Sequence, residues 1–333
     1  MKSIKFILVM VIGLSWLTET NAQVGINKLA QSTMNFQLVS ISPKASAMGD
    51  AFYTVGMGAE SMFYNPAGLA EVPQSIEAVV DYTQWIADIS YLGGAIAFNF
   101  GNYGNVGVSI LSVDYGTIYG TQLDPSRSSA TGYIETGNLS NVGAYSLGLS
   151  YAKSISTKFS IGGSVRYVAQ NLGENTFVNG TSKKNNASKL AFDAGVKYKT
   201  NFKDFSFGMA IRNFASNIRR EAIDEQLPLT FTMGAAINLM SFVTDSDDES
   251  LMFAIDFLHS NSYSERVNLG AEYKFFKMFA LRAGYQTNRD VASWSAGAGV
   301  NTSFAGYDVE VNYSFSKMDV FDNVNRVSVN FAF

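Results

Sequence analysis

The one histidine of this chain, His259, lies in the run Ile255 to Ser262 with Asp256 and Ser260 close in sequence. A Ser–His–Asp relay needs the imidazole held between a hydroxyl nucleophile and a carboxylate. His259 instead closes an alternating segment, where a polar histidine at a membrane rim is the simpler reading. With no Cys, the chain has no thiol nucleophile, zinc–thiolate site, disulfide framework or lipoprotein acylation site. The acidic connection Asp245, Asp247, Asp248 and Glu249 could attract Ca²⁺, but it lacks the spacing of a calcium loop and reads as a solvated turn. No glycine-rich phosphate loop precedes a helix. A net charge of −4 opposes nucleic acid as a partner. These residues point to no catalysis, no cofactor and no metal.

A different chemistry is open to the charges that alternate with apolar residues: Arg166, Asp193, Lys197, Arg212, Glu272, Lys274, Arg282, Asp308 and Glu310. Both signs occur. If their shared face encloses a lumen, they can pair across strands or with a plug, or they can line a selective permeation path. Only 16% of the chain is charged, against roughly 25% in soluble domains, which suits a surface facing something other than water.

The elements that position these residues follow from the hydrophobic period. Lys2 and Lys5 precede an apolar run from Phe6 to Leu17 and a small-residue exit at Ala22, so 1–22 reads as a cleaved signal peptide. After about Glu71 the period is two, which means strands with unlike faces. Phe231, Met233, Ala235 and Ile237 alternate with Thr232, Gly234 and Asn238; Tyr307, Val309, Val311 and Tyr313 alternate with Asp308, Glu310 and Asn312. About fourteen such segments are centred near 80, 95, 109, 147, 164, 194, 208, 233, 254, 269, 282, 297, 311 and 329. An even count, with about ten residues each at about 3.3 Å and a tilt of about 40°, spans the roughly 25 Å apolar band of an outer-membrane barrel.

Long polar connections at 116–139, 171–187 and 213–226 alternate with tight turns at 101–104, 154–157 and 200–204, as a barrel with both ends in the periplasm requires. Short turns are expected near Phe276 and Gly306, and loops near Asn288 and Asp322. The acidic connection at 245–249 is long where a turn is expected. Trp85, Tyr115, Tyr145, Tyr151, Tyr198, Tyr273, Tyr285, Trp294 and Tyr313 suit interfacial girdles. Val327, Val329, Phe331 and Phe333 form an aromatic-ended strand that resembles the assembly signal of bacterial barrels. The reading is all-β: an antiparallel transmembrane β-barrel of about fourteen strands over 73–333 in the bacterial outer membrane, with outer-membrane lipid around it. A secreted β-sandwich is the rival, since it also alternates.

Residues 23–72 are not strand-like. Two short helical pieces should break at Asn65, because the residue before a proline disfavours the helical region. Asn65 can cap the second piece and Pro66 suits its first position. Such a segment, rich in small residues, can fold inside a lumen as a partly helical hatch; the alternative is a periplasmic extension. As a hatch, its apolar side chains Met34, Phe36, Met48, Phe52, Met57, Met62 and Phe63 are candidate contacts for a hydrophobic ligand.

The run from Ser42 to Val72 carries Met48-Gly49-Asp50-Ala51-Phe52 and then Asn65-Pro66-Ala67-Gly68-Leu69-Ala70. It resembles the amino-terminal signature of the PorV/PorQ family, related to FadL-type outer-membrane transporters. The resemblance implies a fourteen-stranded barrel with an amino-terminal hatch in which Gly49, Asn65, Pro66 and Gly68 form the motif. It also implies association with type IX secretion or surface anchoring, with a secretion-system barrel or exported cargo as partner. The other function it leaves open is a FadL-like transporter for a hydrophobic small molecule.

Overall fold

Alternation with a lipid face and a lumen face leaves the backbone one way to satisfy every N–H and C=O group at membrane depth, which is a closed sheet. The computed structural model describes residues 32–124, 126, 130–139, 142–177, 181–219, 223–244, 248–289, 291–304 and 306–333. The expected signal peptide, Asp245 and Asp247 lie outside these residues. The strands in chain order are β1 (Ile76–Gln84), β2 (Ser90–Asn99), β3 (Asn105–Asp114), β4 (Tyr119–Leu123), β5 (Tyr133–Asn138), β6 (Gly143–Ser154), β7 (Phe159–Thr176), β8 (Ser182–Lys199) and β9 (Ser206–Phe214). They continue with β10 (Ile218–Arg219), β11 (Asp224–Glu225), β12 (Thr230–Asn238), β13 (Glu249–Ser260), β14 (Arg266–Phe275), β15 (Phe279–Gln286), β16 (Ala292–Phe304), β17 (Tyr307–Met318) and β18 (Val324–Ala332). Fourteen of them close one antiparallel barrel, and the pairs β4–β5 and β10–β11 are separate two-stranded ribbons.

Closure falls between the first strand and the last. Val79 lies opposite Asn330 and Asp81 opposite Ser328, and Ile76 and Phe333 exchange backbone hydrogen bonds of 2.7 and 2.9 Å. On β18, Val327 and Phe331 face outward while Ser328 and Asn330 are buried inward. The same division runs round the barrel: Tyr145, Leu147, Leu149 and Tyr151 are outward on β6, and Ser146 and Ser150 are inward. All fourteen expected centres fall within barrel strands.

The connections also alternate. Turns of the inner end lie at 100–104, 155–158, 200–205, 276–278 and Gly306, beside the carboxy terminus. The connection between Asn238 and Glu249 belongs to the same end and is the long exception, opening on a 3₁₀ turn at Met240–Phe242. The opposite end carries the β4–β5 ribbon and β10–β11. The stretch expected as a loop at 171–187 differs: β7 and β8 continue as paired strands to Thr176 and from Ser182, bending at a register shift between Asn171 and Glu174. Lys183, Lys184, Asn185 and Asn186 are polar on both faces, so the period-two signal disappears although the ladder persists. Just before β12, Leu227 is buried in the cluster that holds Met34 and Phe36.

Leu149 sits midway along β6 on the lipid face, 59% exposed. Leu149→Arg is expected to lower barrel stability in bilayers by about 2–4 kcal/mol, the cost of a cation at the membrane midplane. Equilibrium unfolding from lipid vesicles checks this, with Phe304→Arg at the inner rim losing much less.

Candidate functional site

A fourteen-stranded barrel encloses more space than its own side chains fill, and here the preceding segment occupies it. At the outer end, Thr33 N–H donates to the Gln226 carbonyl (2.9 Å) and the Ser32 hydroxyl meets that of Ser262 (2.6 Å). The chain descends through a 3₁₀ turn (Asn35–Leu38) and a short helix (Pro43–Ala47) capped by Ser42, whose hydroxyl accepts from Ala45 N–H. Two further 3₁₀ pieces, Ala59–Phe63 and Pro66–Glu71, flank Asn65. Asn65 Oδ1 accepts from Ala67 N–H at 3.1 Å, while its amide nitrogen donates to the carbonyls of Tyr53 (2.9 Å) and Val196 (3.2 Å). One side chain thus caps a turn, ties two parts of the segment and reaches the barrel wall.

The wall makes room with glycine. A Cβ on Gly195 would overlap Asn65, one on Gly162 the Pro66 carbonyl, one on Gly107 Met62, and one on Gly284 the Met48–Gly49 peptide. These glycines stand on inward positions where the segment presses closest, by its backbone at Gly162 and Gly284 and by a side chain at Gly195 and Gly107. Within the segment, Gly49 takes φ +61 against Tyr285, and Gly68 packs on the Gly56 carbonyl and Ser61. Polar ties complete the seating: Asn105 Nδ2 to the Leu69 carbonyl (2.7 Å), Lys197 Nζ to the Gly56 carbonyl (2.9 Å), Ser295 Oγ to the Ser46 carbonyl (2.5 Å) and Ser46 Oγ against Ser316 Oγ (2.9 Å).

The inward charges fall into two groups. Toward the inner end they are paired. Lys44 bridges Glu60 (2.8 Å) and Glu310 (3.0 Å), Arg282 meets Glu272 (2.6 Å), and Glu71 meets Lys197 (2.8 Å) and Lys199. Gln74 donates to Asp308 (2.6 Å), and Lys274 meets Glu272 (3.1 Å). Arg166 grips both oxygens of Asp193 (2.6 and 2.8 Å) and also reaches Gln37 and Asn213. Above the hatch opens a cavity of about 360 Å³, lined by Arg166, Arg212, Arg266, Arg289 and Arg326 but, among the described residues, by a single carboxylate, Asp50.

Of the candidate ligand contacts, Met62 and Phe63 line this cavity. Met34 and Phe36 pack instead with Ile218 and Leu227, and Met48 and Phe52 with Ala210, Ala236 and Ala254. Met57 is exposed. Trp85 and Tyr115, expected in the girdles, turn inward to the cluster around Tyr91, Leu111 and Val113. Both follow the last residue of their strands, where the chain bends over the rim. His259 is exposed at the outer rim, 3.0 Å from Glu265. Arg266, Arg289 and Arg326 line the cavity as well, unannounced by the charge pattern except at Arg326, which alternates with Ser328 and Asn330 on an inward face.

This is an outer-membrane β-barrel whose lumen is threaded by its own amino-terminal segment. Residues 127–328, more than half of the chain, match the family described as type IX secretion system membrane protein PorP/SprF, and the chain belongs to that family. Among solved structures it is similar to the toluene transporter TbuX of Ralstonia pickettii, at 14% identity and TM-score 0.59, covering 89% of this chain and 98% of that one. The toluene transporter TodX of Pseudomonas putida gives 12% identity and TM-score 0.55, with 87% and 96% covered. The CymD monoaromatic hydrocarbon channel gives 13% and 0.55, with 89% and 98% covered. At these identities the likeness is one of fold. Comparison with curated proteins gives no match.

Burial alone would raise the Glu71 carboxyl, but the Lys197 and Lys199 ammoniums outweigh it and hold the group below its usual 4.5. A depressed carboxylate contributes stability above its unfolded value and loses it as pH falls through the folded one. Amides of 66–71 are therefore expected to be protected at neutral pH and to open only as pH falls below the usual carboxylate range. Hydrogen exchange corrected for intrinsic rates checks this; Glu71→Gln should flatten the acid dependence and lower protection at neutral pH.

Proposed function

We propose that this barrel is a non-enzymatic accessory component of type IX protein secretion or surface anchoring, acting through protein partners at its outer face. The observation that carries the reading is the family match over 127–328, which spans β5 to β17 together with most of the outer connections. Two features support it. The ribbons β4–β5 and β10–β11 lie outside the barrel sheet, and Tyr119, Leu123, Tyr133 and Ile134 leave apolar surface exposed on the first of them. Apolar groups displayed beyond the membrane favour contact with other proteins. The amino-terminal signature that resembles PorV/PorQ fits the same machinery.

Transport of a hydrophobic small molecule is the second reading, favoured by the fold shared with toluene transporters. Against it, Met34, Phe36, Met48 and Phe52 of the segment are taken up in packing, and the remaining cavity sets five guanidinium groups among apolar residues such as Leu38, Val39, Met62 and Phe63.

Replacing Tyr119–Asn138 by a short turn is expected to leave barrel insertion intact and to reduce delivery of type IX cargo to the surface several-fold. Surface proteolysis and fractionation of cargo in the producing cell check this. Undiminished surface cargo with a normally inserted variant would count against the partner reading.

A further inference from the structure

We infer that the cavity above the hatch is a binding site for an oxyanion, a carboxylate or phosphate group entering from the outer mouth. Five arginines reach this space from five different places: β7, β9, the start of β14, the β15–β16 connection and β18. Two of them, Arg326 and Arg212, lack an acidic partner among the described residues. Arg326 is 3% exposed and stacks over Trp85 at 5.5 Å, yet its hydrogen-bond partners are neutral, the Ser40 carbonyl (2.9 Å) and the Ser316 hydroxyl (2.9 Å). Arg212 reaches the Tyr53 hydroxyl at 3.4 Å, and its Nε has no hydrogen-bond partner among the described residues. Neither guanidinium forms an ion pair with a described carboxylate.

The carboxylates nearby are already engaged. Arg166 grips both oxygens of Asp193, and Asp50 meets Gln286 (2.5 Å) and Arg289 (3.7 Å) through Oδ2, its Oδ1 being unbonded among the described residues, so one carboxylate faces five guanidinium groups. A second observation is independent of the cations. Asn268, 1% exposed and lining the cavity, has neither its amide nitrogen nor its oxygen bonded among the described residues, and Gln37 Nε2, also buried there, is likewise unbonded. Buried amides are bonded in the great majority of proteins, and an unpaired buried guanidinium is costlier still. Planar N–H donors from Arg with an added amide N–H form the donor set that recognises carboxylate and phosphate. Among the described residues the inner half of the lumen shows no such surplus, because its lysines and Arg282 meet Glu60, Glu71, Glu272 and Glu310. The site does not depend on the secretion reading.

The test uses the full-length mature barrel in detergent micelles, titrated with inorganic phosphate, with citrate, and with a phosphorylated glycerolipid in mixed micelles, by calorimetry and by the fluorescence of Trp85 and Trp294, which both line the cavity. Wild-type protein should saturate at one site and change its fluorescence. Arg326→Gln and Arg212→Gln should each weaken binding roughly tenfold, as the loss of a charge-assisted hydrogen bond requires. Arg326→Lys, which keeps the charge but not the planar donors, should recover only part of the affinity, and Lys274→Gln at the inner end should leave it unchanged. Saturation by phosphate or citrate supports a soluble ligand, and saturation by the lipid alone supports a headgroup; either supports the site. Heat-modifiable electrophoretic mobility certifies the fold of each variant. The inference is overturned if the wild-type barrel binds none of the three probes saturably, or if correctly folded Arg326→Gln and Arg212→Gln bind as tightly as wild type.

Discussion

The structure depends on filling a lumen too wide for side chains alone. Fourteen strands set the diameter, and the space is taken up by a stretch of backbone whose peptide groups must all find partners there. That demand explains the choice of residues on both sides. The wall presents glycines where the segment presses closest and serine, asparagine or lysine where its carbonyls need donors. The segment turns in short helical pieces because each turn satisfies part of its own backbone before the wall supplies the rest. Asn65 is the point where these obligations meet.

The barrel was legible because lipid imposes a stronger constraint than water. Outward residues at membrane depth must be apolar, so the alternation is regular from β1 to β18 and the fourteen centres can be read directly. The reading fades where that constraint ends. Beyond the outer rim β7 and β8 stay paired with polar residues on both faces, so 171–187 reads as a loop. Trp85 and Tyr115 look like girdle aromatics, but each follows the end of its strand and folds over the rim into the interior. In the segment, the proline rule and the capping role of Asn65 locate the break between the turns; nothing in the spacing foretells the helix at Pro43–Ala47.

The charges follow the same logic at a finer scale. Parity assigns Arg166, Asp193, Lys197, Arg212, Arg282 and Glu310 to the interior, and all of them are there. Parity does not say which will pair, because pairing depends on register between strands and on the height of the segment. The structure separates a compensated inner layer, in which lysines and carboxylates brace the segment against β8, β15 and β17, from an outer layer in which guanidinium groups outnumber carboxylates. A burial cost carried by the outer layer is hard to attribute to packing, since simple apolar residues would fill the same volume without it.

The amino-terminal segment lies inside the barrel, seated against β16 and β17 through Ser46. The chain has no Cys, so a pair can be introduced without background: Ser46→Cys with Ser316→Cys, at positions whose hydroxyls are 2.9 Å apart and both buried. That spacing puts the two β-carbons near the range of a disulfide. In intact outer membranes under mild oxidation, near-complete cross-linking is expected, seen as a reducible change in electrophoretic mobility, with each single-substitution variant shielded from water-soluble maleimide. A folded barrel in which the pair fails to cross-link and the Ser46→Cys variant labels freely would contradict it.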